Sequence, residues 1–498
     1  MSDLPEGWAE TEFGLLLASS QNGLSARSGT GTPTVVLRLA DVSTDGDVAR
    51  DGLRFIGLDT DAQAKYSLQA GDLLAFRVNG SPSIAGQVIA YRGTPGYAYC
   101  DHFIRFRLRS QVAMSNLIAM AFRSNLVRHQ VEQRMVSSAG QNTVSQSSYR
   151  EIEIPLPPLA EQFRIIEKVE ALLADVNAAR DRLAKVPALL KRFRQSVLAA
   201  ACSGRLTEDW GNVREAASAS DLLERVRQLR SKSARRSPLA PFDGAEFDVP
   251  EHWGVASLDE LALRLTSGSR AWSKYYRDNG SGTFVMAQNV RPLRFDQTVR
   301  QGVEPPPDDP ERLRTKVAKD DLLITIVGAN TGDVCRVPVE VRDHYVCQSV
   351  ALARPVMSDL SPYLELFLNS PAHGRGLFEE WIYGEGRPHL SFDQLRATPI
   401  ALPPLPEQFE IVRRVGALFL LADAIDARVA AATVRADKLT QAILAKAFRG
   451  ELVPTEAELA RRESRDYEPA SLLLERVRAH GGKVEPKRSG RKRASAKA

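Results

Sequence analysis

The 498-residue sequence predicts an α+β fold: two mixed α/β domains separated by two long helices that form an antiparallel coiled coil, related by an internal pseudo-twofold repeat. Three observations predict it. LPPLAEQF at 156–163 returns as LPPLPEQF at 402–409, and QSVLAAACSGRL at 195–206 returns as QAILAKAFRGEL at 441–452, both displaced by 246 positions without a gap. Apolar residues then recur in steps of three, four and seven behind each LPPL stretch. Short β-type runs fill the segments ahead of them.

The repeat sets the organisation: a first mixed domain over 1–158, a central helical region over 159–206, a linker with a short helix over 207–248, a second mixed domain over 249–404, a distal helix over 405–452, and a C-terminal helix with a basic low-complexity tail over 453–498. Weaker echoes extend it, LPEGW at 4–8 against VPEHW at 249–253, GDLLAFRVNG at 71–80 against DDLLITIVGA at 320–329, and SDLLERVR at 220–227 against SLLLERVR at 471–478. In the first domain β-type runs lie at 34–40, 73–78, 86–91 and 103–108, and in the second at 283–287, 322–327, 333–337 and 349–353. A helical stretch follows in each, around 111–135 and 360–383.

The consecutive prolines of LPPL forbid helix and give an extended entry to each long helix. The first carries an apolar stripe at Phe163, Ile166, Val169, Leu172, Leu173, Val176, Leu183, Val186, Leu190, Phe193 and Val197; the second keeps it at Phe409, Val412, Val415, Leu418, Ala422, Ile425, Val429, Leu439 and Ile443. Either the two stripes pack against each other or each packs within its own domain. Gly204 and Gly450 follow the last apolar turns, where a left-handed cap wants glycine. Pro187 predicts a kink or break, leaving helices near 159–186 and 188–203. The tail GGKVEPKRSGRKRASAKA has a composition that favours disorder.

Composition narrows the function. The net charge is +5, but residues 1–158 carry 14 basic and 15 acidic side chains and residues 249–404 carry 17 and 20, so the excess sits in the helical and terminal segments. Four cysteines, Cys100, Cys202, Cys335 and Cys347, form no CxxC pair and fit a reducing cytosol better than a zinc cluster or a disulfide framework. The acidic N-terminus and the lack of any apolar run near eighteen residues predict a soluble cytoplasmic protein. No GxxxxGK[ST], HExxH or GxSxG is present, and the closest stretch to an Asn/Asp-Pro-Pro-aromatic methylase motif, Ser361-Pro362-Tyr363, lacks the amide or carboxylate and the second proline. Gly384-Glu385-Gly386 is a lone GxG outside a strand-turn-helix, and PPPDDPERLRTK at 305–316 reads as an exposed loop. The chain is expected to bind and not to catalyse, with no metal and no cofactor of its own.

Two divergent mixed domains alternating with two near-identical long helices, each opened by LPPL-x-EQ and closed by xLxxAxxGxL, resembles the specificity subunit of type I restriction-modification systems. The likeness covers nearly the whole chain. It implies two target recognition domains that each read one half of a split asymmetric DNA site, with paired helices that set the spacer and dock two modification subunits. It further implies adenine-N6 methylation by those partners with S-adenosylmethionine, and cleavage by restriction subunits that use ATP and Mg. A coiled-coil scaffold that binds other proteins is the competing class.

On that resemblance, candidate DNA-binding residues in the first domain are Lys65, Tyr66, Arg77, Asn79, Ser81, Arg92 and Arg105. In the second, SGSRAWSKYYRDNG interleaves Arg270, Lys274 and Arg277 with Trp272, Tyr275 and Tyr276, the mixture of cations and aromatic rings a nucleic-acid surface uses. Asn289, Arg291, Asn330, Thr331 and Arg387 are further candidates, because Arg reads guanine edges or phosphates and Asn reads adenine. The helix entries (Glu161, Gln162, Glu407, Gln408) and the repeated LLERVR segments (Arg225, Arg476) are candidates for partner docking; intramolecular packing is the alternative for them.

Overall fold

The computed structural model describes residues 4–109, 111–210, 218–232, 247–268, 270–384 and 386–480, so the basic tail and parts of the interdomain linker lie outside the described residues. The chain divides into two compact units, Met1–Leu183 with Ala431–Ala498, and Ala184–Ala430. Both boundaries fall inside the long helices, Leu159–Cys202 and Leu405–Phe448, so each unit holds one mixed domain and one half of each helix. No helix among the described residues is long and apolar enough to cross a membrane.

Each long helix begins where the proline pair ends. The N–H groups of Glu161 and Gln162 donate to the Pro158 carbonyl, and those of Glu407 and Gln408 to the Pro404 carbonyl, at 2.9–3.1 Å. The helices are antiparallel within each unit. In the first, Arg164 pairs with Glu456 (2.7 Å) while Arg180, further along, pairs with the earlier Asp437. In the second, Arg194 reaches Asp423 (2.7 Å) and Asp426 (2.9 Å), and Asp209 meets the earlier Arg414 (2.5 Å).

Two expectations about the helices need correction. The first helix passes through Pro187 without a break. The ring removes one ladder hydrogen bond, and the turns that follow are held by packing, with Leu190, Val197 and Leu198 buried. The apolar stripe starts at Ile165 and Ile411, both fully buried, and not at Phe163 and Phe409, which stand 57% and 49% exposed; Leu439 is 51% exposed as well. The contact face is rotated toward the residue pairs Ile165/Ile166 and Ile411/Val412, which turns the two phenylalanines outward.

The two mixed domains share one framework. In the first, a four-stranded antiparallel sheet runs in the order Leu17–Asn22, Phe103–Leu108, Leu73–Phe76, Val88–Ala90; in the second the order is Ala262–Ser267, Val350–Pro355, Leu322–Thr325, Val334–Arg336. A three-stranded sheet follows the same rule, with Thr32–Leu37 between antiparallel Phe55–Leu58 and parallel Ala98–Tyr99, matched by Gly282–Val285 between Gln301–Val303 and His344–Val346. Helices Ser115–Arg123 and Asn125–Gln133 in the first domain correspond to Ser361–Asn369 and Gly374–Trp381 in the second. The central strands LLAF and LLIT are buried along their whole length, the pattern of strands covered on both faces. An edge-to-face aromatic cluster of Phe13, Phe106, Phe122 and Tyr149 fills the first core, and Trp253 packs against Tyr363 in the second.

The LPPLxEQ motif is an internal lock. Glu161 accepts a hydrogen bond from the Trp8 indole (2.9 Å) and another from the backbone N–H of Glu456 (2.9 Å). Burial pushes its carboxyl above the usual carboxylate range, against those donors and the nearby Arg164. Glu407 repeats the arrangement with the Trp253 indole (3.0 Å), the Thr207 hydroxyl (2.6 Å) and His252 Nε2 (2.7 Å). The echo of LPEGW in VPEHW is therefore the tryptophan half of this lock. Gln162 binds the carbonyls of Val112 and Pro157 and accepts from the Met114 N–H; Gln408 donates to the Pro403 carbonyl. All four side chains are 0–1% exposed, which corrects their reading as partner contacts: they are consumed inside the chain.

Gly204 and Gly450 cap the helices with φ of 78° and 72°. A Cβ on Gly450 would stand 2.4 Å from Pro5, and one on Gly204 2.6 Å from Pro250. The end of each long helix thus meets the chain just ahead of a lock tryptophan. The repeated LLERVR segments bury Leu222, Leu223 and Val226 in one unit and Leu473, Leu474 and Val477 in the other, leaving Arg225 and Arg476 on exposed faces.

Two predictions test these contacts. Glu161→Ala and Glu407→Ala leave two and three donors, respectively, without their acceptor and are expected to cost about 1–3 kcal/mol per stranded buried group, with Glu407→Ala the more severe, in denaturant unfolding of the full chain. Gly204→Ala and Gly450→Ala combine a left-handed backbone with a steric conflict and are expected to lower stability by about 1–3 kcal/mol, whereas Gly416→Ala, in open space within a helix, is expected to raise it slightly.

Candidate nucleic-acid interface

Each domain presents a loop at the end of its buried central strand, and a repeated ion pair fixes the strand's start. Asp72, 3% exposed, holds Arg107 at 2.8 Å and accepts from the Gln69 N–H; Asp321, 1% exposed, holds Arg354 at 2.6 Å and accepts from the Ala318 N–H. Burial pushes the Asp321 carboxyl up, against the Arg354 guanidinium that holds it charged. These pairs anchor the strand within the neighbouring strand's reach, so the loops that follow at 77–87 and 326–333 leave the sheet from equivalent places.

In the first domain the loop carries Arg77, Asn79 and Ser81, all partly exposed. Arg77 Nη1 lies 3.5 Å from the Asp101 carbonyl, and Asn79 Oδ1 accepts from the Ser81 N–H, an Asx turn that shapes the loop. Lys65 lies in the last turn of the helix Thr60–Tyr66 with its ammonium 5.2 Å from the Tyr66 ring centre, while Tyr66 leans on Tyr99. Arg92 is exposed and pairs with Glu170 at 3.4 Å on the wall of a cleft of about 900 Å³. That cleft also presents Asp45, Asp47 and Asp181, so its charge is mixed and it does not form a phosphate cradle.

In the second domain Lys274 and Arg277 are exposed on and after the 3-10 turn Arg270–Tyr275, with Lys274 Nζ 4.9 Å from the Tyr275 ring centre; the side chain of Arg270 lies outside the described residues. Tyr275 and Tyr276 pack partly against the core. Arg291 and Asn330 are partly exposed and Arg387 is exposed. The stretch 305–316 holds the short helix Glu311–Thr315, and its Asp309 accepts the Trp272 indole N–H at 3.0 Å, so it is more than an exposed loop.

Four candidate residues are corrected by their surroundings. Arg105 is 5% exposed and donates to the Lys65 and Ser67 carbonyls; Trp272, 2% exposed, belongs to the second domain's core. Asn289, 3% exposed, bridges the Met286 N–H to the Asp296 and Val299 carbonyls, and the Thr331 hydroxyl, 4% exposed, lies 2.7 Å from the Gly328 carbonyl and 3.0 Å from that of Pro388. Arg105, Asn289 and Thr331 spend polar groups on the backbone and Trp272 spends its indole N–H on Asp309, so the four shape the surface without facing it.

A hairpin in each domain went unread in the sequence. Val136–Ser138 pairs with Gln141–Thr143, which in turn pairs with the loop strand Val78–Asn79. In the second domain Tyr383 and His389 exchange backbone hydrogen bonds, and the Gly328 N–H donates to the Pro388 carbonyl. The glycines at the two tips, Gly140 and Gly384, were the available signal, and the second lies in the GxG noted above.

Among the described residues, Cys100, Asp101 and His102 bring three metal-ligating atom types within 4.8 Å of one another. Burial pushes the Cys100 thiol up, away from the thiolate a metal would bind. All four cysteines are free and buried.

No family model matches the chain. It is 30% identical over 432 residues to the type I restriction enzyme EcoKI specificity subunit of Escherichia coli (strain K12), covering 85% of this chain and 84% of that protein. The HsdS subunit from Thermoanaerobacter tengcongensis shares the fold with a TM-score of 0.51 and 20% identity, covering 90% of this chain and 98% of that one. A chain from a structure of complex assembly and conformational transition in a type I R-M system gives a TM-score of 0.62 and 20% identity, covering 91% and 100%. With the doubled LPPLxEQ lock and two copies of one mixed domain, this chain belongs to the type I restriction enzyme specificity subunits.

Proposed function

We propose that each mixed domain reads one half of a bipartite, asymmetric DNA sequence and that the long helices set the gap between the halves. One observation carries this reading: the two domains repeat strand order and the Asp-Arg anchor, yet present different side chains on the loops that leave the sheet and the hairpins clasped to them, Arg77, Asn79 and Ser81 in one, Asn330 and Arg387 in the other. A repeated scaffold with divergent tips suits two different sequence tracts. Forty-four helical residues at about 1.5 Å each span about 65 Å, a length suited to a spacer.

In this reading the chain performs no chemistry and carries no cofactor. Two modification subunits methylate adenine with S-adenosylmethionine, and restriction subunits supply the ATP- and Mg-dependent motor and nuclease. Four buried free thiols fit a cytoplasmic setting. No observation favours a scaffold that ignores DNA.

Docking of two identical subunits calls for equivalent exposed surfaces on the two halves. Phe163 with Phe409, and Arg225 with Arg476, meet that condition; the buried glutamates and glutamines do not.

Sequencing of methylated bases in cells with and without this gene is expected to yield one bipartite N6-methyladenine motif that needs both this chain and a modification subunit; expressed partners without such a motif would overturn the reading. Inserting a heptad-scale segment into both 159–186 and 405–432 is expected to lengthen the unspecified gap and leave both tracts unchanged. Phe163→Asp with Phe409→Asp, or charge reversal at Arg225 and Arg476, is expected to reduce co-purification of the modification subunit at least about tenfold with a stability change within about 0.5 kcal/mol, because these side chains are exposed.

A further inference from the structure

We propose that the two clasped hairpins are the base-reading elements, and that Gln141 and Arg387 determine specificity for one tract each. The inference rests on the DNA-reading function and names the residues that carry it out.

In the first domain the hairpin turns through Ala139 (φ 48°) and Gly140 (φ 76°), two consecutive left-handed residues of the kind that close the tightest hairpins. Ser138 pairs with Gln141 across the turn, and Ser137 pairs with Asn142. Paired residues share a face, so the two pairs point to opposite sides. Asn142, 9% exposed, uses its face as a clasp: it accepts from the Ser137 hydroxyl and donates to the Gly80 carbonyl at 3.0 Å. The other face presents Ser138 and Gln141, both exposed.

The second domain builds the same device at the same point of its fold, after helix Gly374–Trp381 and before Phe392–Ala397, as the first lies between Asn125–Gln133 and Gln146–Arg150. Its clasp is the backbone pair of Tyr383 and His389, the bridge from His389 to Val327, and the Gly328 N–H on the Pro388 carbonyl. Gly384 turns the chain at φ 93°, Tyr383 is 54% exposed with its ring edge-to-face on His389, and Arg387 is exposed; Glu385 lies outside the described residues.

Both hairpins are held at the base by contacts of the chain with itself and are exposed at the tip. A two-stranded ribbon fits the major groove, where an amide can bond adenine bidentately and a guanidinium can bond guanine. The tips carry one of each, so the same scaffold selects different bases in the two halves. A structural connection between helices would not need different chemistry at equivalent tips.

The test uses the full chain assembled with its modification subunits and a library of randomised DNA duplexes. Gln141→Ala is expected to lower discrimination at one or more positions of a single tract about 10–100-fold, and Arg387→Ala to do so in the other tract, with the slope of affinity against salt kept for Gln141→Ala. Both side chains are exposed, and unchanged thermal unfolding midpoints establish that the variants fold. A wild-type bipartite profile that both variants leave intact, or that either variant relaxes in both tracts, overturns the hairpin assignment. A wild-type complex with no bipartite preference overturns the DNA-reading function itself, so the two failures are distinguishable.

Discussion

A buried glutamate at the mouth of each long helix is the constraint on which the rest of the architecture depends. An isolated carboxylate out of water is costly, and this one is tolerated because an indole N–H and further donors converge on it. The donors come from places far apart in sequence: Trp8 and Glu456 for Glu161, and Trp253, His252 and Thr207 for Glu407. One side chain therefore ties the start of a mixed domain, the start of the helix that follows it, and the segment behind the end of the opposite helix. The prolines ahead of it fix the helix entry, so the motif specifies direction and anchor together.

The locks also account for the pattern of similarity between the two halves. Glu161 and Glu407 are 246 positions apart, and the helix ends keep that interval because both helices run from a lock to a capped glycine. Strands elsewhere drift by a few residues, since loops between anchored elements change length at little cost. The Asp72–Arg107 and Asp321–Arg354 pairs are a second fixed point inside each domain. What varies lies between fixed points, on the loops and hairpins, which is where recognition is usually placed on a rigid scaffold.

Much of the fold was legible because its signals are physical and local. LLAF and LLIT are central strands whose burial on both faces leaves a near-continuous apolar trace, and their neighbours FIRFRL and VALARP keep a strong β-type run interrupted only by arginines. Strands Leu17–Asn22 and Phe55–Leu58 stand at sheet edges with exposed positions, and LASSQN reads as loop. The stripe along the helices was readable, but its exact face was not, because Phe163 differs from Ile165 only in which neighbours the antiparallel partner brings. Residue type also overstated the candidate surface: Arg105, Trp272, Asn289 and Thr331 have the chemistry of a nucleic-acid contact, and the fold turns that chemistry inward. The first hairpin was hidden for the opposite reason, since Ser, Ala, Gly and Gln carry little charge or hydrophobic pattern, while in the second Arg387 was legible and its backbone clasp was not.

The charge balance of the domains takes on a different meaning once internal pairing is considered. Arg107, Arg354, Arg336 and Arg375 are held by Asp72, Asp321, Asp320 and Asp333, so part of each domain's positive charge organises its own framework. A near-neutral domain gains little from phosphate attraction, and non-specific affinity is the term that attraction supplies. Weak general attraction raises the relative weight of base contacts, because discrimination is the difference between the right and the wrong site and phosphate contacts add equally to both. A framework that spends its arginines on shape, and leaves a few polar side chains on clasped tips, is thereby biased toward selectivity over adhesion.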